Sequence, residues 1–186
     1  VKEYRAVCFT GTPGSGKSTV VRQVAKITGM EILSVGNFWR EKYENIAGCK
    51  PPFEEWWPHT SSRQNFEVTK EACCTILKEN KIGDLRYPFF LHGKDVVLVL
   101  IDADLDTRAA RALKVEKYRG KTKAEIAIIL NRRVADELEM GKQLFGGDYD
   151  FLNPKYYNLC FNSGVIGYEE IAKCVVAAME RPWDYL

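Results

Sequence analysis

The strongest chemical signal in the chain is the run Gly11-Thr12-Pro13-Gly14-Ser15-Gly16-Lys17-Ser18. It fits G-x-x-x-x-G-K-[ST], a cradle for phosphate groups. Glycines let backbone N–H groups approach phosphate oxygens without side-chain obstruction. The N-terminus of a following helix adds partial positive charge. Lys17 would place an ammonium on the outer phosphates, and Ser18 a hydroxyl on Mg²⁺. Thr19 is either a plain first-turn helix residue or a hydroxyl near the α-phosphate.

A second set of charged residues lies further along. Asp84 and Arg86 occupy alternate positions of a short strand candidate, which puts them on one face. Arg108 and Arg111 are three apart on a helix and share a face. Arg132 and Arg133 sit in a long helix. From Arg108 to Lys142 there are ten Lys or Arg against five Asp or Glu. Phe53, Trp56 and Trp57 form an aromatic cluster that either stacks on a base or anchors a mobile lobe. His59 and His92 are isolated, and no C-x-x-C pair is present, so no zinc spacing exists.

The elements that would hold these residues alternate in type. Tyr4 to Thr10 reads as a strand, and Lys17 to about Ile27 as a helix closed by Gly29. Ile32 to Val35 is a short strand, and Gly36 to about Ile46 a helix. Gly48 to Thr60 is a loop with three prolines. Ser61 to about Lys78 is helical, Lys81 to Arg86 a weak strand, and Asp95 to Ile101 a buried strand. Asp104 caps a helix predicted to reach about Tyr118. Thr122 and Glu125 make a capping box for a helix ending near Gly146. Tyr157 to Asn162 is a fifth strand and Tyr168 to Glu180 the last helix. This order implies an α/β fold, a parallel sheet with helices on both faces.

Size and charge narrow the function. The 186 residues suit one domain, 1–186, with a core that needs no disulfides. The net charge of +2 argues against a dedicated nucleic-acid binder or a membrane-surface protein. The longest strongly apolar run, Val96 to Ile101, cannot span a bilayer, and no signal peptide is visible in a chain that opens at Val1. Cys8, Cys49, Cys73, Cys74, Cys160 and Cys174 read mostly as reduced core thiols of a cytoplasmic protein. The guanine motif N-K-x-D of small GTPases is absent: Asn80-Lys81-Ile82-Gly83 stops short of its final Asp.

Over nearly its whole length, in patches, the chain resembles nucleoside monophosphate kinases, above all short cytidylate kinases of archaeal type. Ser34-Val-Gly36-Asn37-Phe38-Trp39-Arg40 resembles S-x-G-D-x-[FL]-R, with Asn37 in place of Asp. Gly83-Asp84-Leu85-Arg86 is similar to Asp-Gly-Phe-Pro-Arg or Glu-Gly-Arg, with altered spacing. Arg63-Gln64 resembles the pair opening the next helix, although a solvated surface pair fits as well. Arg108-Ala-Ala-Arg111 resembles R-x-x-R, and Arg132-Arg133-Val-Ala-Asp136 the lid pattern R-x-x-D. Lys142 to Asp150 and Tyr157 to Ser163 resemble later cytidylate kinase stretches.

The resemblance implies a three-layer P-loop kinase fold, with a five-stranded parallel sheet in the order 2-3-1-4-5. It also implies an acceptor-binding lobe at about 36–80 and a helical lid at about 119–148. ATP would contact Gly11 to Thr19 and Arg108, with Mg²⁺ on Ser18 and Asp84. Asn37, Arg40, Arg63 and Arg86 would hold the acceptor. Lys17, Arg40, Arg86, Arg132 and Arg133 would act on the transferring phosphoryl group. The implied partners are small nucleotides, CMP or dCMP first among acceptors, with the protein a monomer or homodimer. Two rivals stay open: a kinase of another acceptor, such as dephospho-coenzyme A, shikimate or a nucleoside, and a non-catalytic ATP-binding module.

Overall fold

Successive residues of strand β1 (Val7–Gly11) face opposite sides, and that alternation sets up the layers. Val7 and Phe9 pack with Val97, Val99 and Ile101 of β4 (Val97–Asp102) against α1 (Lys17–Thr28) and α6 (Tyr168–Glu180). Cys8 and Leu98 face the other way. They join Ala72, Cys73 and Ile76 of α3 (Ser62–Glu79) in a second core. The structure is a computed structural model, and it describes residues 4–46 and 61–180. The Phe53, Trp56 and Trp57 cluster, His59 and Cys49 lie outside the described residues.

Three further strands complete the sheet: β2 (Ile32–Ser34), β3 (Ile82–Asp84) and β5 (Leu159–Asn162). All pairings are parallel and the order is β2-β3-β1-β4-β5, as expected. The loop Gly11 to Gly16 therefore leaves the carboxyl edge of the central strand. Helix α2 (Val35–Ile46) follows β2 without an intervening loop. Among the described residues, no helix is long and apolar enough to cross a membrane.

Local chemistry explains most boundaries. Gly29 ends α1 in the left-handed conformation at φ 73°. Ser61 with Gln64, and Thr122 with Glu125, form capping boxes at the starts of α3 and α5 (Lys123–Phe145). The Gln64 side chain is thus engaged with Ser61, while Arg63 beside it is exposed. Helix α4 is shorter than expected. It spans Leu105–Ala112, and the chain turns extended at Val115 before a 3₁₀ turn, Glu116–Tyr118. That turn lets Tyr118 tuck among Ala109, Ala112, Ile126 and Leu130. At the other end of α5, Phe145 stacks on Phe89, with ring centroids 4.6 Å apart, in a cluster that also takes in Phe66 of α3.

The cysteines depart from the sequence reading. Cys8 and Cys73 are buried, but Cys74, Cys160 and Cys174 are exposed. Cys160 sits on the edge strand β5, where alternate residues face out. Cys174 lies on the outer side of α6, whose inner side is Ile171, Ala172, Val175 and Val176.

Packing between α3 and the sheet is tight at Gly83. A Cβ there would lie 2.5 Å from Cδ1 of Ile76 and 3.0 Å from the sulfur of Cys8. Overpacking a well-filled core costs about 1–3 kcal/mol. Gly83→Ala is expected to lower the unfolding free energy by about that amount, read from the urea midpoint. An unchanged midpoint would show that α3 yields freely.

Candidate functional site

A cleft of about 700 Å³ opens at the carboxyl edge of β1, and all nine predicted loop residues, Gly11 to Thr19, line it. Gly14 and Gly16 have φ of 83° and 84°, a region that side chains disfavour. Gly11 is required by close approach, since a Cβ there would lie 2.0 Å from the carbonyl oxygen of Ile101. No side chain caps the start of α1, and its first turn holds no acid. Its amide groups and positive dipole end therefore face the cleft, the setting for an anion. Thr12 Oγ1 donates to Asp102 Oδ1 at 2.5 Å, which ties the loop to the end of β4.

Asp84 leaves β3 directly opposite Phe9 of β1. Its carboxylate forms an ion pair with Lys17 and accepts from Ser18 Oγ at 3.3 Å. Burial, with the Arg86 guanidinium adding to it, pushes the Lys17 ammonium down to about 7. Contact with Asp84 works in the opposite sense. Arg86 comes back to the loop, where its Nη1 donates to the Gly11 carbonyl at 2.9 Å. Burial also pulls its guanidinium below the usual arginine value, while the Glu137 charge opposes that shift.

Across the cleft stands α5. Arg133 lines the cleft, and its Nε donates to Glu137 Oε1 at 2.8 Å. Glu137 also pairs with Arg86 at 2.8 Å. Arg132, one position earlier, is exposed and does not line the cleft, because neighbouring helix residues point about 100° apart. Arg108 is the larger departure. It is only 8% exposed, and it lies behind the loop rather than in the cleft. Its Nε donates to the Ala103 carbonyl at 2.9 Å and its Nη1 to the Pro13 carbonyl at 3.4 Å. Arg111, its partner in the pattern, is the one that lines the cleft. It donates to the carbonyls of Ser15 and Ser163, at 3.0 and 2.6 Å.

Arg40 Nη1 donates to Asn37 Oδ1 at 3.0 Å, on the exposed side of α2. Neither residue lines the cleft, nor does Arg63. Their element is nonetheless fixed beside Asp84, because Ser34 pairs with Asp84 across β2 and β3.

Sequence reasoning missed Glu137, Ser163 and the apolar end of the cleft. That end is formed by Val115 and Tyr118 from one side and Ile166 and Tyr168 from the other. Val115 and Tyr168 are each 46% exposed, a level that marks an apolar surface left open. The position of Ser163, just past the end of β5, was the available signal.

The residues at the loop suit a magnesium ion. Ser18 and Asp84 offer two oxygens 3.3 Å apart. Among the described residues no cluster of three or more metal-ligating side chains exists. One or two protein oxygens are what a magnesium ion takes where phosphates and water complete its shell.

No family model matches the chain. It is similar to a cytidylate kinase of Pyrobaculum aerophilum, 30% identical over 135 residues, which cover 68% of this chain and 71% of the relative. The chain belongs to the cytidylate kinase family. A Thermoplasma volcanium member of the family is 25% identical over 94% of this chain and 91% of its own. The fold is also that of a shikimate kinase from Bacteroides thetaiotaomicron, with a TM-score of 0.63 at 14% identity over 96% of this chain and all of the other.

Two outcomes test the site of this family member. Lys17 loses its proton as pH rises through about 7 in the empty cleft, and a bound polyanion favours its return. Inorganic tripolyphosphate binding above pH 7 should therefore shift protons onto Lys17, seen as a buffer-dependent calorimetric enthalpy that is larger than in Lys17→Arg. Affinity should fall by up to about tenfold per pH unit above that point. A buffer dependence as large in Lys17→Arg as in the wild type would contradict the assignment. Arg108→Leu leaves two loop-side carbonyls without their donor, so a loss of about 2–4 kcal/mol in unfolding free energy is expected. A selective loss of tripolyphosphate binding at full stability would instead return Arg108 to the cleft.

Proposed function

We propose that the chain is an ATP-dependent nucleoside monophosphate kinase with CMP or dCMP as acceptor. The observation that carries this is the convergence of Lys17, Ser18, Asp84, Arg86 and Arg133 on one phosphate-binding loop. Phosphoryl transfer asks little covalent work of a protein. It needs two phosphates in line, their charge neutralised and water kept out.

In this reading the loop amides and Lys17 hold the outer phosphates of ATP. The apolar end of the cleft, Val115 and Tyr118 against Ile166 and Tyr168, takes the base. Ser18 and Asp84 would hold Mg²⁺, which when bound would supply charge neutralisation beside the phosphates. Arg86 and Arg133 face the group in transfer. No general base is needed, because the acceptor oxygen is already anionic at neutral pH. Arg40, with Asn37 shaping its approach, grips the acceptor phosphate as a planar guanidinium can. Arg63, exposed on α3, is a further candidate there, and the region 119–148 acts as the lid.

Coupled assays with ATP against CMP, dCMP, UMP, AMP, GMP, dephospho-coenzyme A, shikimate and a nucleoside test the reading. CMP or dCMP should show the highest kcat/KM. Lys17→Ala should reduce it by 100-fold or more, roughly the loss of one strong transition-state contact. Arg40→Ala should raise the acceptor KM or lower kcat while ATP binding is spared. Transfer only to a non-nucleotide, or ATP binding without transfer to any acceptor, would overturn it.

A further inference from the structure

The Glu137 carboxylate has one arginine on each oxygen. Oε1 accepts from Arg133 Nε at 2.8 Å, and Oε2 pairs with Arg86 Nη1 at 2.8 Å. Both arginines line the cleft. Arg86 in turn reaches the Gly11 carbonyl at 2.9 Å, so a continuous chain runs from α5 to the phosphate loop. The backbone of Glu137 is fixed as well, since the Tyr87 hydroxyl donates to its carbonyl at 2.6 Å. The side chain is 15% exposed against 45% for Arg133, so the acid sits deeper than the arginine it orients.

We propose that Glu137 is a positioning residue, which holds Arg86 and Arg133 aimed at the phosphate in transfer. This deepens the kinase reading and rests on it. Charge balance is the physical reason. Lys17, Arg86 and Arg133 are close enough to repel one another, and the Arg86 and Arg133 charges both act on Lys17. Asp84 compensates Lys17 from the sheet. Glu137 compensates the other two from α5, and without it the arginine pair would push α5 from the loop. Oε1 holds Arg133 by a directed hydrogen bond, whereas Oε2 meets Arg86 as an ion pair, so the acid orients the first guanidinium and balances the charge of the second. Orientation set before substrate arrives is what transfer between two bound phosphates requires.

The test is Glu137→Ala and Glu137→Gln in the full chain, with two readouts. In the nucleotide-free wild type, the side-chain Nε–Hε NMR signals of Arg86 and Arg133 should be dispersed and protected from exchange. In Glu137→Ala the Arg133 signal should move to the exposed-arginine average, and the Arg86 signal should shift and exchange faster while its bond to Gly11 is kept. In the acceptor assay, kcat should fall at least tenfold, with the KM for ATP within threefold of wild type. Glu137→Gln keeps an oxygen for Arg133 and loses the charge facing Arg86, so it should fall between. Combining Glu137→Ala with Arg133→Ala should slow the enzyme less than the product of the two single effects. Unchanged arginine signals, a kcat within twofold of wild type, or full additivity would overturn the proposal. Should the alanine variant lose the fold, Glu137→Gln carries the same readings. If the wild type phosphorylates no acceptor, the kinase reading fails by itself. The arginine signals then still decide whether Glu137 orients the pair.

Discussion

The register between β1 and β3 sets the position of every charged group at the loop. Phe9 stands opposite Asp84, and the pairing continues with the Leu85 N–H on the Phe9 carbonyl. Asp84 reaches Lys17 and Ser18 from that position, and Arg86, two residues on, reaches Gly11. A slip of one residue would turn each of these side chains to the opposite face. The register is protected by packing as much as by hydrogen bonds. Gly83 sits where α3 and β1 press closest, between Ile76 and Cys8. A larger residue there would shift the strand that carries Asp84. The core and the acid of the site therefore share a constraint one residue apart.

With the register fixed, the cleft becomes a problem of placing cations that repel. The solution divides them by depth. Arg108 is buried and bound to backbone carbonyls, a strut under the loop rather than a ligand for phosphate. Arg111 is bound to carbonyls too, but keeps a face on the cleft. Lys17 has Asp84, and Arg86 and Arg133 share Glu137. A partly buried cation without such a partner would be strongly unfavourable. The acids therefore do more than balance charge, because each fixes a direction.

Much of this was legible in the sequence because it depends on local rules. The loop glycines, the alternation in β1 and β4, the capping boxes at Ser61 and Thr122 and the Gly29 stop all act within a few residues. The strand order followed from resemblance and matches the sheet. What escaped depends on contacts between distant segments. Tyr118 leaves the helical path to fill a pocket made with α5, so α4 ends earlier than its composition suggests. Arg108 and Arg111 look equivalent as a pair three apart, and only the loop packed above them decides which is buried. Glu137 carries no motif of its own, since its partner Arg86 lies in the bend just past β3, 51 residues earlier. Cys160 and Cys174 sit in apolar stretches, yet the edge strand and the outer side of α6 leave them exposed.

The same geometry separates two tasks that a phosphotransferase must keep apart. Phosphate recognition is built on the sheet edge, where Gly11, Asp84 and Arg86 are tied to paired strands and have little freedom. Discrimination between acceptors cannot come from those groups, because every candidate presents similar anionic or hydroxyl oxygens to them. It must come from segments hung on the edge. Helix α2 follows β2 directly, and Ser34 pairs with Asp84, so Asn37 and Arg40 at the start of α2 are placed relative to the loop by the sheet. The apolar walls at Val115 and Ile166 likewise lie on turns after α4 and β5, beyond the sheet. What a shared fold does is set by such segments rather than by the sheet that carries them.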